Sequence, residues 1–490
     1  MDITLVNRIA TTLPADDTHP YRTGAWQPQH EEFDVDDLDV IGEIPDDLDG
    51  VYLRNTENPI HPALDRYHPF DGDGMVHLAG FRGGKAFYRN RFVRTAGFFA
   101  EQEAGQSLWA GIAEHPKVAV AEGGWGARQR MKDASSTDVV IHAGQAVTSF
   151  YQCGELYRLD PLTLETLGTT SWDGRFPTDG VSAHAKVDPA TGEMLFFNYS
   201  KQAPYMHYGV VNAQNELVHY TEVPLPGPRL PHDMVFTPNY SILNDCPLYW
   251  DEDLLKNDIH AARMHDKPTR FAVIPRHGSA DQIRWFEADP TYVLHWTNAW
   301  EEGDEIVIEG FFQHQPVPQP AADDPMRLYR FVAIDYMETR LHRWRLNLRT
   351  GQATEESLRD DFTEFGVINP NFLGHKSRYV YAATAVPGWF MFNGLVKHDT
   401  WTGEDTAVRH ADGVVCSEPV MAPRIGSASE DDGYILTFTS DVENDSSECM
   451  IFDAQAMTEG PVARVRLPQR ISSGTHATWA PGADIPHWTA

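Results

Sequence analysis

The sequence predicts an all-β fold, a seven-bladed β-propeller with inserted segments forming a cap over one face. From Gly50 onward, short runs of alternating apolar and polar residues are separated by Gly, Pro, Asn and Asp, which is the pattern of strands and turns. Helical periodicity is rare and brief. A phrase also recurs in which a strand is followed by Asp-Pro or Asn-Leu and then by Thr-Gly or Thr-Leu-Glu, as expected when each blade is one antiparallel meander.

Three copies of this phrase, at residues 158–166, 187–194 and 345–352, support the propeller. Seven blades in a chain of 490 residues average about 70 residues, more than the usual ~40–50 per blade, so long insertions are required. We expect residues 100–132 and 240–262 to form the cap. A large β-sandwich is the competing fold, because it would produce a similar alternation.

No domain boundary is evident, so residues 1–490 are predicted to form one propeller domain with inserted cap segments. Residues 1–45 are polar and rich in Pro and Asp, and we interpret them as an extended lead-in.

Composition excludes several classes of function. A formal net charge of -32 argues against a nucleic-acid partner, because the surface could not release phosphate counterions. The four cysteines are far apart and form no Cys-x-x-Cys pair, which favours free thiols in a reducing compartment. Neither a signal peptide nor an apolar run of the ~18 residues needed to span a bilayer is evident. We therefore expect a cytoplasmic protein, and no feature indicates an oligomeric state.

Four segments place a histidine in a strand-like or strand-end setting, at His184, His232, His295 and His476. Such wide separation is expected in a propeller, because the innermost strands of different blades converge on its axis. Four neutral imidazoles suit Fe, Zn, Cu or Ni, so ligand chemistry alone leaves the metal open. The alternative is coincidence among 22 histidines, since a single buried histidine is ordinarily a hydrogen-bonded core residue.

The same segments resemble, in order, the motifs of the carotenoid cleavage oxygenase family, and the match runs from about residue 43 to residue 479. The run Tyr67-His-Pro-Phe-Asp-Gly-Asp-Gly-Met-Val-His resembles the most familiar signature of that family. Four further runs resemble its histidine motifs: Ala183-His-Ala-Lys-Val-Asp-Pro, Pro231-His-Asp-Met, His295-Trp-Thr-Asn-Ala-Trp-Glu-Glu-Gly-Asp and Gly474-Thr-His-Ala-Thr-Trp. The resemblance implies a seven-bladed propeller with a helical and loop cap that holds Fe(II). The implied iron ligands are His184, His232, His295 and His476.

The resemblance also implies acceptors for the outer N–H groups of these histidines, a role that three glutamates fill in the family. Glu364 matches the acceptor for His295, and Glu418 matches the acceptor for His476. The third position holds Gln152, where the family usually has Glu. The Gln152 carbonyl can still accept the His232 N–H bond, but one negative charge near the metal is lost. The iron would then be a stronger Lewis acid and less tightly bound; alternatively, Gln152 marks a weakened or specialised enzyme.

Four histidines on Fe(II) would leave up to two of six coordination positions for O2 and water. Together with the resemblance, this arrangement supports a dioxygenase that cleaves an electron-rich C=C bond with O2, so that the two oxygen atoms end in two carbonyl products. Thr137 matches a position that approaches an open coordination site in relatives; the alternative is an ordinary strand threonine.

Two positions bear on the substrate, which the resemblance implies to be an apolar alkene. Relatives that cleave 4-hydroxystilbenes bind the phenol group with a lysine and a tyrosine, and the matching positions here hold Tyr151 and Phe92. A carotenoid or apocarotenoid polyene is therefore the predicted substrate. Residues 86–116 and the run Thr163-Leu-Glu-Thr instead resemble the bacterial stilbene and isoeugenol branch, so a phenylpropanoid alkene is the alternative.

Two further alternatives remain for the function. One is a propeller that binds an apolar ligand or a protein without catalysis, and the other is an isomerase or hydrolase that uses the same iron. A polyene would come from a membrane, and residues 386–392, which include Trp389 and Phe390, could line an apolar entrance or make a peripheral contact with lipid. Buried packing is the competing interpretation of this run.

Overall fold

The computed structural model describes residues 1–124, 130–257 and 259–488 of the chain. It divides into two compact units: the first consists of Met1–Ala183 and His410–Ala490, and the second of His184–Arg409. Each unit is described by itself below. The single domain remains a prediction.

The described residues form 34 strands and two α-helices. Strands up to residue 183 are β1 Thr4–Arg8, β2 Glu31–Val35, β3 Val40–Gly42, β4 Gly50–Asn58, β5 Asp73–Arg82, β6 Lys85–Phe92, β7 Val139–His142, β8 Gln145–Thr148, β9 Tyr157–Leu159 and β10 Thr166–Thr169. Strands of the second unit are β11 Lys186–Val187, β12 Met194–Tyr199, β13 Met206–Val211, β14 Leu217–Glu222, β15 Val235–Phe236, β16 Tyr240–Asp245, β17 Leu248–Trp250, β18 Ala262–Met264, β19 Thr269–Pro275, β20 Arg284–Ala288, β21 Trp296–Glu302, β22 Glu305–Gln313, β23 Thr339–Asn347, β24 Ala353–Ser357, β25 Thr363–Val367, β26 Tyr379–Ala385, β27 Phe392–Asp399 and β28 Asp405–Arg409.

The remaining strands belong to the first unit, and are β29 Val414–Cys416, β30 Val420–Pro423, β31 Gly433–Asp441, β32 Ser446–Asp453, β33 Ala463–Arg466 and β34 Ala477–Pro481. The α-helices are α1 Ala96–Ala104 and α2 Glu252–Leu255. Short 3-10 helices occur at Pro20–Arg22, Gly24–Trp26, Pro116–Val118, Trp172–Gly174, Ala280–Gln282, Arg327–Tyr329, Pro370–Phe372, Met457–Glu459 and Gly482–Asp484. No helix in the described ranges is long and apolar enough to cross a membrane.

The sheets are antiparallel meanders of the kind that forms a propeller blade. The first unit has three: β34-β4-β5-β6 extended by β2 and β1, then β7-β8-β9-β10, and then β30-β31-β32-β33 with β29 beside β31 and β3 beside β33. The second unit has four: β11-β12-β13-β14, β15-β16-β19-β20, β21-β22-β23-β24 and β25-β26-β27-β28, besides the ribbon β17-β18. Over the described residues, the three meanders of the first unit and the four of the second agree in number with the seven predicted blades. The predicted all-β class is confirmed.

Strand β4 shows how the meanders of the first unit pack. Every residue of β4 is buried. Val51 and Leu53 pack in one cluster with Val139 of β7, whereas Tyr52 packs in another cluster with Leu436 of β31. Because successive side chains of a strand point to opposite faces, the sheet is covered on both faces, as a blade is by its two neighbours.

The recurring phrase of the sequence forms hairpin turns. Between β9 and β10, the Asp160 carboxylate accepts the backbone N–H groups of Leu162 and Thr163, each at less than 3.0 Å. Asn347 and Asp399 close the β23–β24 and β27–β28 turns in the same way. A short acceptor side chain at the first turn position replaces the hydrogen bonds that the backbone loses when it leaves the strand, which is why the phrase recurs.

The predicted insertion at residues 240–262 begins too early. Residues 240–245 form β16, which pairs with β15 on one side and with β19 on the other. This strand was not recognised in the sequence, because polar residues flank its short apolar centre and its partner β19 is distant in the chain. Residues 125–129 and 258, which fall within the two predicted insertions, lie outside the described residues.

We predict that Leu53→Ala destabilises the protein by about 2–5 kcal/mol, because Leu53 is fully buried and its truncation leaves a cavity between two packed sheets. Val218→Ala is the control, since Val218 is 49% exposed on β14 and should change stability by less than about 0.5 kcal/mol. Thermal unfolding followed by circular dichroism measures both. Equal midpoints for the two variants would contradict the packing described for β4.

Candidate metal centre

Each of the four predicted ligands lies just before the terminal strand of a different sheet. His184 and His232 precede β11 and β15 by two and three residues, and His295 and His476 directly precede β21 and β34. The backbone carbonyls of His295 and His476 are hydrogen-bonded into their sheets. The His476 carbonyl accepts the N–H of Asn55 at 2.9 Å, and the His295 carbonyl accepts the N–H of Phe311 at 3.2 Å. Strand pairing therefore holds these side chains more rigidly than a loop would.

The four rings form one buried group. The Nε2 atom of His232 lies 3.2 Å from Nε2 of His184 and 3.3 Å from Nε2 of His295, and the ligand nitrogens of all four histidines lie within 4.8 Å of one another. With metal–nitrogen bonds of about 2.1 Å, ligands at a right angle stand about 3.0 Å apart and opposed ligands about 4.2 Å apart. The spacing therefore fits a single transition-metal ion.

Glu364 orients His295. Its carboxylate is fully buried and accepts the Nδ1–H of His295 at 2.6 Å and the backbone N–H of Phe365 at 2.5 Å. A neutral imidazole that donates from Nδ1 carries a lone pair on Nε2, the atom that lies beside His232. A carboxylate behind a histidine in this way fixes the tautomer that binds a metal and raises its basicity.

Glu418 stands in the same relation to His476. Its Oε2 atom lies 3.3 Å from Nδ1 of His476 and accepts the backbone N–H of Ala477 at 2.6 Å. Burial alone lowers the pKa of His476, but the negative charge of Glu418, with smaller effects of Asp138 and Glu57, raises that pKa to about 9. The surroundings of this ring therefore favour a positive charge on it, whether a proton or a metal ion.

Three other predicted site residues, Thr137, Tyr151 and Gln152, belong to the first unit. The Thr137 hydroxyl accepts the backbone N–H of Tyr151 at 2.9 Å, and its carbonyl accepts the hydroxyl of Thr475 at 3.0 Å. Thr475 directly precedes His476, so Thr137 is bound to the segment that carries a candidate ligand. The Gln152 side chain is fully buried, and Tyr151 is half-buried. Their predicted roles remain predictions.

Phe92, the other residue predicted to bind substrate, is the last residue of β6 and is fully buried. It packs in a small apolar cluster with Ile9, Ile60, Met75 and Phe98. Its backbone N–H is donated to the Glu32 carboxylate at 2.8 Å. A substrate contact at Phe92 also remains a prediction.

Phe365, beside His295, was missed in the sequence, whereas residues 386–392 were singled out there as a candidate apolar entrance or lipid contact. The Phe365 ring stacks on the His295 ring with 5.2 Å between centroids, and Phe390 and Phe392 pack on Phe365 at 5.8 and 5.0 Å. Phe390 and Phe392 both belong to the run at residues 386–392, and they are only 2% and 3% exposed. The available signal was the position of Phe365 directly after Glu364. Its positive φ of 57°, which turns the ring onto the histidine, is not visible in sequence.

Comparisons with known proteins agree with this geometry. Residues 26–481 match the family model described as retinal pigment epithelial membrane protein. The chain is 31% identical to carotenoid 9,10(9',10')-cleavage dioxygenase 1 of Pisum sativum, over 97% of this chain and 93% of that protein. It is 30% identical to the isoeugenol monooxygenase of Pseudomonas nitroreducens, over 94% of this chain and 98% of that protein.

The solved structures similar to this chain include enzymes named for each of the two substrate classes. The lignostilbene dioxygenase of Pseudomonas brassicacearum has a TM-score of 0.82 at 26% identity, covering 96% of this chain and 100% of that one. The cobalt-substituted apocarotenoid oxygenase of Synechocystis has a TM-score of 0.82 at 27% identity, covering 93% of this chain and 97% of that one. These proteins share the β-propeller fold predicted from the sequence.

We predict that Glu364→Gln weakens the binding of Co(II) about 10–100-fold, because the amide removes the charge that orients and polarises His295. Glu355→Gln is the matched control: Glu355 accepts a hydrogen bond from Nε2 of His342 at 3.1 Å in the same unit, but His342 is not in the four-histidine group. Titration followed by the visible absorption of Co(II) measures both affinities. Equal affinities for the two variants would show that Glu364 does not act on a metal ligand.

Proposed function

The chain belongs to the family of the retinal pigment epithelial membrane protein and the carotenoid cleavage oxygenases, and on this premise we propose that it is a non-haem Fe(II) dioxygenase. In this proposal it cleaves a C=C double bond of a carotenoid or apocarotenoid with O2 and forms two carbonyl products. Both atoms of O2 are consumed, one in each product, so the reaction needs no further reductant.

The group of four buried histidines carries this proposal. His184, His232, His295 and His476 offer four neutral nitrogens and no thiolate or carboxylate ligand, a donor set that suits iron among other first-row metals. When bound, Fe(II) would supply the electrons that activate O2 towards an alkene. Glu364 and Glu418 would keep their histidines in the metal-binding tautomer.

Aromatic side chains beside His295 support an apolar substrate. Phe365, Phe390 and Phe392 form an apolar wall that ends on the imidazole of a candidate ligand. Such a wall excludes water from its side of the site and offers flat surfaces to a conjugated chain. A polar substrate would lose its hydration there without gaining hydrogen bonds.

A polyene is the substrate class that we favour over a phenylpropanoid alkene. The first unit offers no cation or phenol-binding pair at the two expected positions, which hold Tyr151 and the fully buried Phe92. Activation of a hydroxystilbene through its phenolate would lack that partner. The relatives include proteins named for both substrate classes at nearly equal identity, so the phenylpropanoid alkene, of lignostilbene or isoeugenol type, is the second candidate.

The partners follow from this substrate. We expect an apolar alkene and O2, and no nucleic acid, because the formal net charge is -32. A cytoplasmic location with peripheral contact to a membrane remains our proposal, since polyenes partition into lipid. In residues 386–392, the ring of Trp389 lies under the Arg330 guanidinium at 4.8 Å and is half-buried, so a contact with lipid would involve this indole rather than Phe390.

The proposal is tested by loading the protein with Fe(II) under anaerobic conditions and then admitting 18O2 with a β-apocarotenal or a hydroxystilbene. We expect aldehyde products from the apocarotenal, each with one 18O atom, detected by mass spectrometry before exchange with water. Cleavage of the hydroxystilbene alone would select the second candidate. Tight binding of the polyene with no product from either substrate would favour an apolar-ligand-binding propeller without catalysis.

We further predict that Gln152→Glu tightens Fe(II) binding about tenfold, because it restores a negative charge at the position that the family fills with Glu. Glu355→Gln again serves as a control for a charge change at a histidine outside the group. Competition with a coloured chelator measures the affinity, and turnover is followed in parallel. Unchanged affinity and turnover would show that position 152 does not act on the metal.

A further inference from the structure

One carboxylate of the second unit, that of Asp233, contacts the three segments of that unit that carry candidate ligands. Asp233 directly follows His232, and its side chain is only 1% exposed. Its Oδ2 atom accepts the backbone N–H of Trp296, the residue after His295, at 2.9 Å. Its Oδ1 atom lies 2.8 Å from Nζ of Lys186, which is two residues after His184.

These contacts join the starts of three sheets. Lys186 is the first residue of β11, Trp296 is the first residue of β21, and Asp233 lies two residues before β15. The same carboxylate also accepts the N–H of Met234 at 2.7 Å, and the carbonyl of Asp233 accepts the side-chain amide of Asn244 at 2.8 Å. Asp233 is therefore fixed within its own sheet while it holds the two neighbouring segments.

We propose that Asp233, paired with Lys186, is a positioning residue that sets the spacing of the His184, His232 and His295 imidazoles. It contacts neither the substrate nor the metal, and acts through the backbone on either side of the ligands. A metal site requires its ligands to be held within about 0.5 Å of the productive geometry. A buried carboxylate with several hydrogen bonds and one cation, as Asp233 has, can hold the backbone that precisely. This inference rests on the proposed function, because it assumes that the three histidines bind one metal ion.

The test uses the whole protein and Co(II) as the probe, with Asp233→Asn, Lys186→Met and the double variant. We expect Asp233→Asn to weaken Co(II) binding about tenfold or more and to shift the visible absorption bands that report the geometry of the ligands. Lys186→Met should also weaken binding. The loss of Co(II) affinity in the double variant should be smaller than the product of the two single-variant losses, because both changes break the same interaction.

Asp399→Asn is the matched control for general loss of stability. Asp399 also accepts two backbone N–H groups and pairs with a cation, Arg378, in the same unit. It closes the β27–β28 turn, however, and its neighbour His398 is not one of the four candidate ligands. We expect a lowered thermal midpoint for Asp399→Asn with unchanged Co(II) affinity and bands. A similar loss of Co(II) affinity in Asp399→Asn would overturn the specific role of Asp233.

Co(II) affinity of Asp233→Asn within twofold of wild type would overturn the inference while leaving the proposed function intact. If Asp233→Asn does not fold, Lys186→Met decides, since it keeps the carboxylate and removes only its cation: an affinity within twofold of wild type overturns the inference, and a weaker one supports it. Failure of the wild-type protein to bind Co(II) or Fe(II) would instead overturn the proposed function, and this inference with it.

Discussion

Backbone pairing at the terminal strand of each sheet determines where the candidate ligands stand. Imidazoles are short side chains, so four of them can meet only if their Cα atoms are placed correctly by the backbone itself. The carbonyls of His295 and His476 are hydrogen-bonded into their sheets, and Asp233 links the segments that carry the other two ligands to that of His295. The position of each candidate ligand therefore depends on the meander that carries it, so the packing of that meander also determines the geometry of the site.

Charge is the second constraint on a buried metal ion. A divalent ion with four neutral imidazoles brings two positive charges into the interior, and Glu364 and Glu418 supply two negative charges behind the ligands. In our proposal, Gln152 would leave the centre close to electrically neutral, whereas a third ionised glutamate at position 152 would make it an anion.

Much of this fold and site could be predicted from sequence because the signals are local. Alternation and the Asx turns at Asp160 and Asn347 indicate strands and hairpins, and the histidine motifs indicate the ligands. The position of β16 could not be predicted, since its residues at 240–245 gain their stability from pairing with a strand formed by residues 269–275. The role of Asp233 was equally hidden, because its partners come from two distant segments and their meeting is visible only in the folded chain.

Strand β34 has a consequence for how the protein is made. It pairs with β4, and the Thr475 hydroxyl beside it lies 2.8 Å from Oε1 of Glu57, 418 residues earlier in the chain. Loop closure over such a distance is slow and comes late, because the intervening chain must lose conformational entropy before the contact can stabilise the fold. During translation, the N-terminal meander emerges long before its last strand exists, and its open edge is exposed to other chains in that interval. His476 can therefore join the other candidate ligands only after synthesis has passed residue 481, so a nascent or truncated chain could not acquire the complete proposed metal centre.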